Sequence, residues 1–135
     1  MDDAGAGLAR KSSCAAADSE RTASLTERLE RLLREAAEVE VELSRADGTI
    51  KGIPHYSVIE GRAHALGKQL SREVQQRQMN ELVASQALTA KCPECGTRCP
   101  LQPRHRDVKS VDGKTKVQEM VGHCPCCRRD FFPAA

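Results

Sequence analysis

Six of the seven cysteines in this 135-residue chain fall between residues 92 and 127, in a pattern that thiolate chemistry can use. Cys92-Pro93-Glu94-Cys95 and Cys124-Pro125-Cys126-Cys127 are each a Cys-x2-Cys pair, and 28 residues separate them. Zinc takes a tetrahedral shell of soft sulfur ligands, and each pair supplies two thiolates from one tight turn. Cys92, Cys95, Cys124 and Cys127 are therefore expected to hold one structural Zn2+ ion. Four sulfur ligands leave no open position for water, so the metal reads as a staple for a small fold and not as a catalyst. Cys126 sits between two of the expected ligands and is the alternative to them, and Cys99 lies just beyond the first pair. The x2 spacing selects Cys124 with Cys127. A thioredoxin-like redox role lacks its βαβ surroundings.

The elements around the pairs must bring them together. Pro93 restricts the first turn, and Gly96 permits positive φ just after Cys95, so that backbone N–H groups can point at sulfur. Residues 97–111 are expected to leave as an extended strand, with Asp112-Gly113 as a type I′ hairpin turn. Lys114 to His123 then returns, with Val117 and Val121 inward beside Met120, and Phe131 and Phe132 cover the small apolar patch.

Upstream, the chain reads as helix. Ser24-Leu25-Thr26-Glu27 fits a capping box. Leu25, Leu29, Leu32, Ala36, Val39 and Leu43 then recur in alternating steps of four and three, a heptad seam on one face. Gly48 suits the left-handed position past the helix end. The seam fits either a coiled-coil homodimer through residues 25–43 or an antiparallel hairpin with the next helix. That second helix is expected from about Ser57 to Ser85, opened by a second capping box at Ser57-Val58-Ile59-Glu60. Its apolar line is Ile59, Ala63, Leu66, Leu70 and Val74. His55 and His64 lack cysteine or carboxylate partners at ligand spacing and read as surface or packing residues. Residues 1–20, rich in Ala, Gly, Ser and Asp, read as a disordered tail carrying Cys14 as a free thiol. The expected architecture is thus α+β: a tail (1–20), a two-helix segment (21–86), and a β-rich, zinc-ribbon-like module (87–135).

Composition supports small modules. There is no Trp, one Tyr and two Phe, so a large aromatic core is excluded. Residues 1–86 carry 12 Lys/Arg against 14 Asp/Glu, and residues 87–135 carry 9 against 5. The basic excess travels with the cysteines and favours a polyanionic partner. Neither a signal peptide nor a membrane span is visible, and clustered Cys-x2-Cys pairs suit a reducing compartment, so the expected location is the cytoplasm.

Three stretches together resemble the N-terminal region of bacterial insertion-sequence transposases of the ISKra type, which belong to the DDE class. They are residues 45–57 (Arg-Ala-Asp-Gly-Thr-Ile-Lys-Gly-Ile-Pro-His-Tyr-Ser), Cys92-Pro93-Glu94-Cys95-Gly96, and residues 122–133 (Gly-His-Cys-Pro-Cys-Cys-Arg-Arg-Asp-Phe-Phe-Pro). The resemblance covers about residues 25–133. It implies a helical segment and a zinc-ribbon-like module that recognise DNA ahead of a ribonuclease-H-like catalytic domain. The three metal-binding carboxylates of that domain would lie beyond residue 135, so the chain is expected to be a truncated, non-catalytic portion. The expected phosphate contacts are Arg104, His105, Arg106, Lys109, Lys114, Lys116, Arg128 and Arg129, with no small-molecule substrate. Rival readings are a protein-interaction adaptor with a structural zinc, and a non-functional remnant.

Overall fold

A computed structural model describes residues 6–133, with side chains from residue 14 onward. Two helices, α1 (Ala6–Ala46) and α2 (Tyr56–Ser85), precede four strands: β1 (Thr89–Lys91), β2 (Arg98–Ser110), β3 (Gly113–Cys124) and β4 (Arg129–Phe131). The strands form one antiparallel sheet in chain order, so the layout is α+β as expected. The chain divides into two compact units, Met1–His55 and Tyr56–Ala135. The second helix therefore belongs with the ribbon.

In the first unit, α1 begins at Ala6, and most of the stretch read as a disordered tail is helical. Residues 1–5 of that stretch lie outside the described residues. Between Ala6 and Ser24 there is no proline and a run of three alanines at 15–17. Such residues extend a helix that is already nucleated downstream. Ser24 is accordingly mid-helix and caps nothing. The hydroxyls of Thr22 and Thr26 bond back to the carbonyls of Asp18 and Thr22, at 2.8 and 2.9 Å, the alternative open to such side chains inside a helix. The C-terminus closes as expected around Gly48 at φ +76. The Gly48 N–H donates to Arg45 O and the Ile50 N–H to Ser44 O, so the last carbonyls are satisfied and Ser44 is buried beneath the turn. The seam residues Leu25, Leu29, Leu32, Val39 and Leu43 stay about half exposed or more.

In the second unit, α2 starts at Tyr56, one residue before the expected cap Ser57. Of its expected apolar line only Leu66 is half-buried, while Ile59, Ala63, Leu70 and Val74 are exposed. Further along, a half-buried stripe runs through Ser71, Gln75, Met79 and Val83 at steps of four, joined by Arg72. This stripe packs along β3. At one end the Ser71 hydroxyl donates to Asp112 Oδ2 (2.5 Å) and Arg72 to the Asp112 carbonyl (2.9 Å). At the other, Val83 reaches the cysteine-lined core.

The β2–β3 hairpin runs in unbroken register from Ser110↔Gly113 to Leu101↔Gly122. Its two loop residues are Val111 and Asp112, one position earlier than the expected turn, and Gly113 alone has positive φ, at +115. A type I′ turn needs positive φ at both central residues, so the turn is of another kind. Ser110 fills the corner: its hydroxyl accepts from the Asp112 N–H and donates to Gly113 O.

Burial along β3 changes phase without any bulge. Thr115 and Val117 are buried on one side of the strand, and Met120, Gly122 and Cys124 on the other. α2, packed on β3, covers the first set; Leu101, Phe131 and the cysteines cover the second. Val117 and Met120 are thus both inward but on opposite sides, while Val121 is only half-buried. Phe131 is buried as expected, whereas Phe132 is exposed, with the Arg104 guanidinium 5.8 Å from its ring centre.

Gly122 is where the sheet and Phe131 meet most closely. A Cβ there would lie 2.5 Å from the Phe131 ring and 3.0 Å from Leu101. Gly122→Ala is expected to lower stability by about 1–3 kcal/mol through overpacking. The loss should shrink in a Phe131→Leu background, as read by urea unfolding of the single and double variants.

Candidate metal centre

Two turns built alike converge at the base of the sheet. In the first, the Gly96 N–H donates to Cys92 O at 2.9 Å, and in the second the Arg128 N–H donates to Cys124 O at 2.8 Å. Each turn then passes through a left-handed residue, Gly96 at φ +71 and Arg128 at φ +54. Glycine takes that conformation freely, whereas an arginine there costs about 1–2 kcal/mol, so the second turn holds its shape against local preference. The Cys92 N–H donates to Thr97 O at 2.8 Å, and the Cys127 N–H to Cys124 Sγ at 3.5 Å. Pairing of β1 with β2 fixes the first turn, and Cys124↔Arg129 pairing of β3 with β4 fixes the second. Arg129 on the second turn also grips Glu94 on the first at 2.7 Å.

The result is a four-sulfur cluster. The Sγ atoms of Cys92, Cys95, Cys124 and Cys127 all lie within 4.8 Å of one another. Cys92 to Cys127 is 3.9 Å and Cys95 to Cys124 is 3.5 Å. A tetrahedral ion with metal–sulfur bonds of about 2.3 Å needs sulfur–sulfur edges of about 3.8 Å, and these distances bracket that value. The donor set therefore fits a thiolate-preferring metal, and these four residues would hold it. Cys92 and Cys124 are buried, Cys127 is half-buried and Cys95 faces solvent.

Cys126 and Cys99 stand outside the cluster. Cys126 is exposed, with its Sγ 3.7 Å from the Thr97 hydroxyl. Cys99 is almost fully buried, and its thiol donates to Thr97 O at 3.4 Å. Burial, and then the neighbouring sulfur of Cys124, push the Cys99 thiol above its ordinary range, so it remains a neutral packing group. Thr97 thus touches three thiols. Its hydroxyl, then its backbone, stabilise the Cys95 thiolate and lower that pKa from 9.0 to about 6. Cys127 moves the other way, raised by its hydrogen bond to Cys95 and by burial. Sequence spacing alone carried no signal for the role of Thr97.

The eight basic residues expected to meet phosphate separate into distinct settings. His105, Lys109, Lys114 and Lys116 share one face of the outer hairpin, on the side away from Thr115 and Val117. Lys109 and Lys114 are directly opposed in the register, and Lys116 faces Asp107. The two lysines of that pair, like Lys116, have no ion-pair partner among the described residues. Arg104 and Arg106 point to the other side and are engaged. Arg104 bridges to Asp130 at 3.5 Å over Phe132, and Arg106 pairs with Oε1 of Glu119, a mostly buried carboxylate whose Oε2 has no hydrogen-bond partner among the described residues. Arg129 is held by Glu94, and Arg128 is exposed and unpaired among the described residues.

Asp130 also holds His123 Nδ1 at 2.8 Å, beside a cleft of about 350 Å³ lined by Pro100, Arg104 and Val121. That grouping depends on the β3–β4 register and was not visible from spacing. His64 lies 4.0 Å from Glu60 on the exposed helix surface, consistent with a surface role. Among the described residues, no helix is long and apolar enough to cross a membrane. Comparison with protein-family models, curated proteins and solved structures finds no match.

The lowered Cys95 pKa has a sign that can be checked. The stability gained from this thiolate is fully present above the ordinary thiol value near 9 and is lost as pH falls through about 6, and a thiol already ionised takes a metal without first losing a proton. Thr97→Val should therefore weaken zinc binding at about pH 7, read by chelator competition on the folded, zinc-loaded chain. An unchanged affinity would remove Thr97 as the cause.

Proposed function

We propose that this chain is a non-catalytic DNA-binding module in which one structural Zn2+, held by Cys92, Cys95, Cys124 and Cys127, fixes a basic hairpin. The observation that carries the DNA reading is the Lys109–Lys114 pair. Like charges directly opposite on a two-stranded ribbon are destabilising. With Lys116 and His105 on the same face, and Asp107 the one acid among them, the arm carries a charge that folding gains nothing from. A phosphate backbone supplies the missing counter-charge, and Arg128, exposed at the second turn, is a further candidate contact. Two extended strands match the width of a major groove, a site open to a β-ribbon.

The resemblance of residues 45–57, 92–96 and 122–133 to ISKra-type transposases supports the same reading, as the end-recognition part of such a protein. In it, Arg104, Arg106 and Arg129 shape the module through their carboxylate partners, and only secondarily meet phosphate. The four sulfurs leave the metal no open position, which supports a structural part for it and no hydrolytic one. A thiol-rich, metal-binding site is compatible with the reducing cytoplasm.

Zinc is tested by metal analysis of the purified chain, with one ion per chain expected. Cys92→Ala or Cys127→Ala should abolish tight binding and unfold the ribbon, as should a strong chelator. A ribbon whose amide spectrum is unchanged in chelator would sink the assignment. DNA binding is tested by duplex titration across a salt series. The logarithm of the binding constant should fall with log salt by about 0.9 for each phosphate contacted. Lys109→Ala with Lys114→Ala should lower that slope by about 2. Salt-independent binding would favour the protein-adaptor reading.

A further inference from the structure

The seam on α1 is an apolar feature that its own unit leaves open. Leu25, Leu29, Leu32, Ala36, Val39 and Leu43 span about 27 Å of helix, with Leu33 beside them and also about half exposed. The charges along the same helix are sorted by position. Residues 21–34 hold four arginines and two glutamates, whereas residues 35–44 hold four glutamates and no basic residue. The seam-bearing part of the helix thus has a basic first half and an acidic second half.

We propose that α1 pairs with α1 of a second copy of this chain, and that the two helices run antiparallel. In the centred alignment Leu25 meets Leu43 of the second copy, Leu29 meets Val39 and Leu32 meets Ala36. Every seam residue then has an apolar partner, and the smallest, Ala36, lies opposite a leucine. On one flank Arg28 faces Glu42 of the second copy, twice by symmetry, and Glu35 meets its own copy at the axis. On the other flank Leu33 meets its own copy and widens the apolar strip. A parallel pair fares worse. Flanking residues there meet five positions apart, so Glu35 would face Glu40 and Glu42 would face Asp47, each twice, while Arg28 would face only Leu33. Four like-charge contacts with none of opposite sign stand against two opposite and one like. Since flanking charges choose partner orientation, the sequence selects the antiparallel form.

This orientation rests on self-association through residues 25–43 and is independent of metal and DNA binding. The experiment uses the full, zinc-supplemented chain in reductant, with dimer affinity read by sedimentation and helix content by circular dichroism. Arg28→Glu and Glu42→Arg should each weaken the dimer about five-fold, since each introduces two like-charge contacts. The double variant should return to within about two-fold of the parent. A photo-crosslinking phenylalanine at position 25 should capture peptide around residue 43 of the second copy. Tightening by Glu42→Arg, or capture around residue 25, overturns the orientation. A chain that stays monomeric at every concentration overturns the self-association beneath it.

Discussion

Four sulfurs must share a space only a few ångströms across, and the ribbon has little else to hold its base together. The buried apolar side chains of this unit are Cys92, Cys99, Leu101, Val117, Met120, Cys124 and Phe131. Three of them are cysteines and one is aromatic. A core that small does not offset the entropy of ordering two long strands and two tight turns. Thiolates brought this close also repel unless a cation lies among them. The burial that orders the ribbon and the charge that would disrupt it are therefore settled at one place, which is why a metal-binding reading follows from the fold as much as from the spacing.

The outer hairpin depends on that base and on α2. At its tip, Asp112 is taken twice by the helix, through its carboxylate by Ser71 and through its carbonyl by Arg72. At its root, Gly122 has no side chain, because Phe131 and Leu101 occupy the space a Cβ would need. Between those two points the strands carry exposed lysines with no ion-pair partner among the described residues. The arm is thus fixed at both ends and electrostatically unfinished in the middle, an arrangement suited to meeting a polyanion without reshaping itself.

Much of this was legible in the residues, and the misses have physical causes. Cysteine spacing identified the four sulfurs, because ligand geometry is local and chemically narrow. The long strands and the end of α1 at Gly48 were legible for the same reason. The first capping box failed: Ser24 has the right neighbours, but the helix had already begun upstream of it, and a cap works only at an end. The alanine-rich stretch before Ser24 looked unstructured because it lacks an apolar period, yet helix propensity needs no period. The apolar line of α2 was misplaced because β3 selects Ser71, Gln75, Met79 and Val83 by position, and two of those are polar. The short strands β1 and β4, with the His123–Asp130–Arg104 contacts, arise from long-range pairing that no local pattern announces.

The change of burial phase along β3 has a consequence for how this strand tolerates change in length. Side chains alternate with a period of two, and the fully buried positions on one side end at Val117 while those on the other begin at Met120. Gln118 and Glu119 between them act as a parity element. Removing or adding one residue there would bring Thr115 and Val117 into phase with Met120 and Cys124, so that the helix-facing and sulfur-facing sets would compete for one side of the ribbon. Changes of two residues would preserve the alternation and alter only the reach of the arm. Hairpin length in this architecture is therefore quantised in pairs.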